Sequence, residues 1–502
     1  MESGTNETGT GGKRQVTIDP ITRLEGHGKI EIFLDETGEV EDAYFQVPEL
    51  RGFERFCLGR PGEELPRITP RICGVCPTAH HFASTKALDA AYGTKPTETA
   101  EKLRRLIYAG YYFYDHTLNF YFLAGPDFVM GPSAPKAERN ILGVIDKVGL
   151  EVAGQVIKYR AIGQNIIEML GGKATHPVCG LPGGVSKALS PEDRDTIAEW
   201  AEGAVEFAQF SLSVFNDIVL KNEDYVNLIT NDEWALKTYY MGLVNDANQP
   251  DYYDGDIRVV DPEGKEFARF QPADYLDHIE EHVEPWSYIK FPYLKNVGWK
   301  GFVDGPDSGI YRVAPLARLN VAEGMSTPEA NSHFKEMYST LGGGPVHHTL
   351  AMHWARLIEL LNAAEMLQDL VADPGITGSD IRAKLGKPGE GVGVDEACRG
   401  TLFHHYKLDD NGMVEKVNLI VATVNNSASI CMSVKNAARS VIHEGNVDDG
   451  ILNTVEMAFR AYDPCFACAT HTLPGNMPLQ VDLRRKDGSL VQSFSRTNKK
   501  EV

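Results

Sequence analysis

No stretch of the 502 residues approaches the roughly 18 consecutive apolar side chains that a membrane-spanning helix requires. The start of the chain also lacks the charged segment and apolar block of a secretion signal. Residues 1–15 begin with a run of glycine, serine and threonine and are expected to be disordered. A basic excess is missing too. Against 49 Lys and Arg stand 70 Asp and Glu, a net charge of −21, which argues against a nucleic-acid partner and fits simple solubility. Low-complexity linkers and internal repeats are absent, although the length alone would accommodate two to four domains. Cysteine is scarce, eight residues in all, and four of them fall into two C-x-x-C pairs. That usage reads as metal ligation in a reducing compartment rather than a disulfide framework, so the cytoplasm is the expected location.

The two pairs lie near opposite ends of the chain. Cys73-Gly74-Val75-Cys76 is followed by His80, and Cys465-Phe466-Ala467-Cys468 by His471. Each pair presents two thiols from one turn, which suits a soft transition metal or a redox disulfide. Four thiolates also make a structural zinc site, although zinc pairs ordinarily sit close together in one small ribbon. Pairs split across a whole chain, with acids and an arginine between them, fit a catalytic bimetal site better.

The hydrophobic pattern predicts a mostly helical α+β protein. Strands are expected over 29–34 and 40–47, joined by a turn at Asp35-Glu36-Thr37-Gly38. Helices are expected over 97–126, over 137–170 with a stop at Gly171-Gly172, and from Ser190 to about 220. A further helix opens at Thr327-Pro328-Glu329, and another, at core spacing, runs over 351–372. Residues 240–309 read as a surface insertion with a hairpin over 257–270, and 416–426 as a buried strand. Cys57, Cys179, Cys398 and Cys431 stand alone and are expected to be buried thiols.

At R-I-C-G-V-C-P-T-A-H and D-P-C-F-A-C-A-T-H the sequence resembles the large, catalytic subunit of nickel–iron hydrogenases. The likeness continues through R-L-E-G-H, R-G-F-E, G-G-K-A-T-H-P and E-A-C-R-G, and so covers essentially the whole chain. It implies one domain over 16–471, with a central bundle of long helices and peripheral β-hairpins. The metal site would be buried between the N- and C-terminal segments. Cys73 and Cys465 would be terminal nickel ligands, with Cys76 and Cys468 bridging nickel to an iron that carries carbon monoxide and two cyanides. Thr423 would bond a cyanide. Glu54, the Leu419 carbonyl and His471 would hold magnesium, an ion that takes a few hard oxygen ligands.

The activity implied is reversible cleavage of dihydrogen into protons and electrons, with Cys465 or Arg399 as base and Glu25 as proton relay. Asp115 and Asp463 would be the partners of Arg399. Cys398 departs from the family's E-A-P-R-G by placing a thiol where proline usually stands. His176 reads as a turn histidine or as part of a proton path. No further C-x-x-C ladder exists for iron–sulfur clusters, which implies a separate iron–sulfur small subunit. Segments such as R-G-T-L-F-H-H-Y resemble the cytoplasmic multimeric group, first the methyl-viologen-reducing type linked to heterodisulfide reductase and then the NAD(P)-linked type. Flavin-bearing or heterodisulfide-reductase-type subunits would complete the electron path. Nickel-insertion proteins and a maturation protease would act on the chain, the latter removing 472–502. A quinone-holding relative or a zinc-stabilised scaffold is the alternative, and the four cysteines speak against the first.

Overall fold

The computed structural model of the protein describes residues 14–470, 479–485 and 489–496. The expected disorder of 1–15 falls almost wholly outside these residues, and His471 lies outside them too. Four long helices form the centre: Glu98–Leu118, Leu150–Gly171, Pro191–Phe215 and Met352–Ala372. Helix Met352–Ala372 packs on both Glu98–Leu118 and Pro191–Phe215, and Leu150–Gly171 closes the bundle against the other two. In Met352–Ala372 the apolar side chains Leu357, Ile358, Leu360 and Leu361 are fully buried, which follows from their helical spacing. Small antiparallel sheets lie around the bundle, so the class is α+β with peripheral hairpins, as the pattern implied.

Strands Arg14–Ile18, Lys29–Leu34 and Val40–Gln46 form a three-stranded meander. Ile30, Ile32 and Leu34 alternate inward while Glu31 and Phe33 are only half-buried, the period of a one-sided sheet. A second meander, Glu390–Ala397, Gly400–Leu408 and Val414–Ile420, lies against helix Pro77–Ala91. That approach is close: a Cβ on Gly393 would lie 2.2 Å from backbone atoms of the helix, so only glycine fits.

Several boundaries differ from the sequence expectation. The 137–170 helix is two helices, Ile141–Val148 and Leu150–Gly171, broken at Gly149, whose φ of 90° and ψ of 158° no helix accepts. Helix Glu98–Leu118 continues through a π-helical turn, Asn119–Ala124, before Gly125–Val129. The 416–426 strand stops at Ile420, after which Ala422–Asn425 is a helical turn. Thr327 does not cap its helix. Its hydroxyl instead donates to Glu365, and that carboxylate accepts the Glu329 and Ala330 N–H groups in its place.

The 240–309 stretch is not a surface insertion throughout. Strand Tyr239–Val244 is buried along its whole length, and the Leu243 N–H donates to the buried Glu396 carboxylate. The 257–270 hairpin does form, as Asp256–Val260 paired with Glu266–Phe270. Strands Leu479–Arg484 and Leu490–Arg496 pair with each other as a C-terminal hairpin. No helix among the described residues is long and apolar enough to cross a membrane.

Candidate metal centre

Cys73 follows the tight turn Thr69–Ile72, and Cys76 stands at the N-cap of helix Pro77–Ala91, with proline at its first position. Cys465 is the N-cap of the four-residue helix Phe466–Ala469, which carries Cys468 one turn on. Folding brings the two turns face to face, although Cys73 and Cys465 are 392 residues apart. Within each pair the Sγ atoms are 2.8 Å apart. Across pairs, Cys73 and Cys465 are 3.3 Å apart, and Cys76 and Cys468 3.5 Å. All four Sγ atoms lie within 4.8 Å of one another and all are buried, the only such cluster of donors among the described residues.

The donor set fits a soft cation. Burial works against the Cys73 thiolate, yet hydrogen bonds from Cys465, Cys468 and Cys76 hold its pKa well below the usual thiol range. Burial, reinforced by Cys73 and Cys76, holds Cys465 and Cys468 well above it. Four sulfurs at this spacing therefore cannot all ionise without a metal to neutralise them, and binding one would release the protons that remain. By contrast Cys57, Cys179 and Cys431 are single buried thiols, each pushed up to about 12 by burial.

Within electrostatic reach of Cys76 lies Arg399, 2% exposed. Its Nη1 and Nη2 donate to the two Asp115 oxygens at 2.8 and 3.0 Å, a fork-on-fork pair. Its Nε donates to the Asp463 carbonyl at 2.7 Å, and Nη2 lies 2.8 Å from Asp463 Oδ2. Burial alone would lower the guanidinium pKa, but Asp115 and Asp463 outweigh it and hold the group well above its ordinary value. Burial pushes Asp463 up to about 6, with Arg399 pulling it back. Asp463 has φ 56°, a left-handed conformation rare for a non-glycine residue. Three further such residues, Arg23, His176 and Ala314, neighbour site segments. Backbone strain of this kind costs about 1–3 kcal/mol per residue and persists only where surrounding structure enforces it.

Glu25 joins the centre from the N-terminal segment. Its Oε2 lies 2.9 Å from Cys465 Sγ and accepts the Ala467 N–H at 3.1 Å, while its carbonyl accepts the Phe466 N–H. Burial first, and the Cys73 thiolate second, raise its pKa. Its other side faces an open cleft with Gly26, His27, Glu49, Leu50 and Arg51. Beside it, Arg23 and Arg460 share the buried Asp127, and Arg460 also pairs with Glu456. This network ties the N-terminal segment to helix Asp449–Arg460, which leads into the second cysteine pair. Removing one partner of such a buried set costs about 3–5 kcal/mol.

The remaining expected residues fall nearby. Thr423 Oγ1 accepts the Cys465 N–H at 3.1 Å, which leaves its own hydrogen to donate. Glu54 Oε1 accepts the Leu419 N–H at 2.7 Å. Burial lifts the Glu54 carboxyl to about 7, against the pull of Leu419 and Lys290. A carboxylate displaced this far by desolvation is a favourable partner for a hard cation. His176 Nε2 lies 3.1 Å from the Cys73 carbonyl and so braces the first cysteine turn. Cys398 is buried, and its N–H donates to Tyr111.

Sequence reasoning missed a chain of buried polar groups behind the first pair. His80 Nδ1 meets His404 Nε2 at 3.1 Å, and His404 Nδ1 lies 2.5 Å from the Tyr406 hydroxyl, which donates to Ser84. The only signal was His80 at a fixed step after Cys76, since His404 and Tyr406 sit on a strand more than 300 residues away. Arg51 was missed as well, although it opens the R-G-F-E motif.

The family model for nickel-dependent hydrogenase matches residues 51–147 and 154–471, and a HoxL-like model matches 15–50. The chain belongs to the nickel-dependent hydrogenase family. Within it, the chain is 50% identical to an iron-sulfur subunit of the F420-non-reducing hydrogenase of Archaeoglobus profundus, over 96% of this chain and 99% of that one. Identity to the beta subunit of the NAD-reducing hydrogenase HoxS of Cupriavidus necator is 38%, over 96% and 100%. The fold matches that of a NAD+-reducing NiFe hydrogenase in its H2-reduced state with a TM-score of 0.86 and 38% identity, over 91% of this chain and 99% of the other.

Proposed function

We propose that this chain is the catalytic subunit of a nickel–iron hydrogenase that cleaves dihydrogen reversibly into protons and electrons. One observation carries the reading: four buried thiols meet near an arginine clamped by two aspartates and beside a glutamate that opens to solvent. A structural zinc site needs the sulfurs alone and gives no reason for the rest. Cys73 and Cys465 would ligate nickel, and Cys76 and Cys468 would ligate nickel and iron, the iron carrying carbon monoxide and cyanide. Bound there, the bimetal group supplies the Lewis acidity that polarises dihydrogen and a store for its electrons.

The side chains handle the proton. Cys465 Sγ takes it and Glu25 Oε2, 2.9 Å away, receives it and releases it toward the cleft. Arg399 stays protonated between its carboxylates, which favours Cys465 over Arg399 as base and leaves the guanidinium a fixed cation near the thiols. Thr423, whose hydroxyl oxygen accepts the Cys465 N–H, would have its hydrogen free to donate to a cyanide. Glu54, the Leu419 carbonyl and His471, which lies outside the described residues, would hold magnesium. Electrons leave to an iron–sulfur small subunit, and from there to flavin-bearing or heterodisulfide-reductase-type subunits, with the complex in the cytoplasm. The higher identity to an F420-non-reducing hydrogenase than to an NAD-reducing one speaks against the NAD(P)-linked group.

Metal analysis together with infrared spectroscopy of the native complex tests the assignment. Nickel and iron in equal amounts, with bands from bound carbon monoxide and cyanide, are expected. Zinc without such bands overturns the enzyme reading in favour of a scaffold.

We place processing of the precursor between His471 and Thr472, after nickel insertion. Thr470, the last described residue before that bond, is fully buried against the site. Intact-mass measurement of active enzyme is expected to give a chain ending at His471. A nickel-loaded, fully active chain still carrying Val502 refutes the cut.

A further inference from the structure

Two short turns adjoin the four cysteines, Cys73 following the first and Cys465 and Cys468 belonging to the second, and both end in carbonyls that their own helical bonds do not satisfy. Turn Thr69–Ile72 has four residues and helix Phe466–Ala469 also has four, so neither is long enough to pair its last carbonyls internally. The Thr470 hydroxyl donates to the Phe466 carbonyl at 3.1 Å and reaches that of Ala467 at 3.5 Å, but one side chain serves both turns. Arg51 Nη1 donates to the Ile72 carbonyl at 2.6 Å and reaches the Ala467 carbonyl at 3.4 Å, while Nη2 donates to the Arg71 carbonyl at 3.2 Å. The Arg51 backbone N–H adds a bond to the Thr470 carbonyl at 3.0 Å. Its guanidinium lies over the Phe53 ring, 5.0 Å from the centroid, which steadies the fork.

The opposite side of the second turn is held by residues 25–26. Glu25 accepts the Phe466 and Ala467 N–H groups, and a Cβ on Gly26 would stand 2.7 Å from the Ala467 nitrogen. The 466–470 segment is thus gripped between the Glu25-Gly26 strip and Arg51. The strip binds its donors, and Arg51 binds its acceptors. A cation at the C-terminal end of a helical turn is also favoured by the turn's dipole, and here it meets two such ends at once.

We propose that Arg51 is a positioning residue, a shared C-terminal cap that holds the two cysteine turns in one register even when no metal bridges them. The inference rests on the reading of the four-cysteine cluster as a metal centre, but its action belongs to the polypeptide. With Arg51 in place, the second cysteine turn stays docked on the first and a metal meets four gathered sulfurs. Without it, the second turn loses the contact that ties it to Arg71 and Ile72, and Cys465 and Cys468 open to solvent more often. Arginine is required because three carbonyls from two segments converge on one planar fork, which the single ammonium of lysine matches only in part.

The test uses the full-length chain made without nickel. Cysteines are pulse-labelled with N-ethylmaleimide and read peptide by peptide by mass spectrometry. Arg51→Ala is expected to speed labelling of Cys465 and Cys468 on the order of tenfold, the equivalent of about 1.4 kcal/mol of lost charge-assisted bonding. Cys179 and Cys431, buried outside the two turns, should label as in the unsubstituted chain. Arg51→Lys should fall between the two. Arg439→Ala supplies the control, since Arg439 caps the Val40 and Glu41 carbonyls on the N-terminal meander and touches neither cysteine turn. Labelling of Cys465 unchanged in Arg51→Ala overturns the proposal. So does a uniform rise at all eight cysteines, which would mean general loosening, and if Arg51→Ala does not fold, Arg51→Lys decides by the same criteria. Zinc in the native enzyme would sink the hydrogenase reading while leaving this measurement to stand or fall by itself.

Discussion

Cys465→Ser and Cys76→Ala are each expected to abolish hydrogen turnover and nickel retention together. Cys465 touches three parts of the site at once: Cys468 at 2.8 Å, Cys73 at 3.3 Å and the Glu25 carboxylate at 2.9 Å. A serine hydroxyl there is harder, shorter and far less acidic than a thiol, and soft metals discriminate strongly against it. Cys76 stands at a helix N-cap between Cys73 and Cys468, so alanine removes one of the four gathered sulfurs and leaves a gap inside the core. The fold itself should survive both changes, since each side chain is small and the surrounding helices are packed independently of it. Nickel and iron content, measured beside hydrogen uptake on the same preparation, checks the result. Turnover comparable to that of the unsubstituted enzyme, or full nickel occupancy, would contradict the ligand assignment.

Glu25→Gln should separate proton traffic from metal binding. The amide oxygen can still accept the Ala467 N–H, and the backbone bond to Phe466 is untouched, so the second cysteine turn stays docked. What disappears is a carboxyl group, its pKa raised by burial and the Cys73 thiolate, that can gain and lose a proton. General acid–base groups of this kind contribute about 10²–10⁴-fold, so hydrogen turnover should fall by that factor with nickel retained. Exchange between D2 and water should slow with it, because that reaction requires protons to cross between the site and solvent. Conversion of para- to ortho-hydrogen, which stays inside the site, should persist. Normal D2–water exchange in the variant would remove Glu25 from the proton path.

Much of the site was legible in the sequence because sulfur pairs three residues apart announce themselves. The resemblance places Glu25, Asp115, Arg399 and Asp463 by register; in the structure Glu25 reaches Cys465, and the two aspartates hold Arg399. Arg51 was not legible in this way. Its role depends on which carbonyls a short turn leaves over, and those belong to residues 20 and 416 positions away. The His80–His404 contact was hidden for the same reason, being a meeting of a helix and a distant strand.

Helix existence was legible from apolar spacing, whereas helix continuity was not. Gly149 looks like any tolerated helix glycine until its φ of 90° is seen. The buried strand Tyr239–Val244 was mistaken for part of a surface insertion because its neighbourhood is rich in Asp, Gly and Tyr. It is anchored inside by Glu396, itself paired with the buried Arg318, and composition cannot reveal such an ion pair.

The separation of the two cysteine turns sets a timetable for synthesis. At a translation rate of about 5–20 residues per second, the ribosome needs roughly 20–80 s to travel from the first pair to the second. Throughout that interval Cys73 and Cys76 exist without their counterparts, and neither Glu25 nor Arg51 has the 466–470 segment to grip. The nascent chain therefore carries half a metal-binding site into the cell before the other half is made. Any soft ion that captured the first pair in that time would be sealed in when the last turn arrived, so the order of translation itself favours a protein that guards or loads those two thiols early.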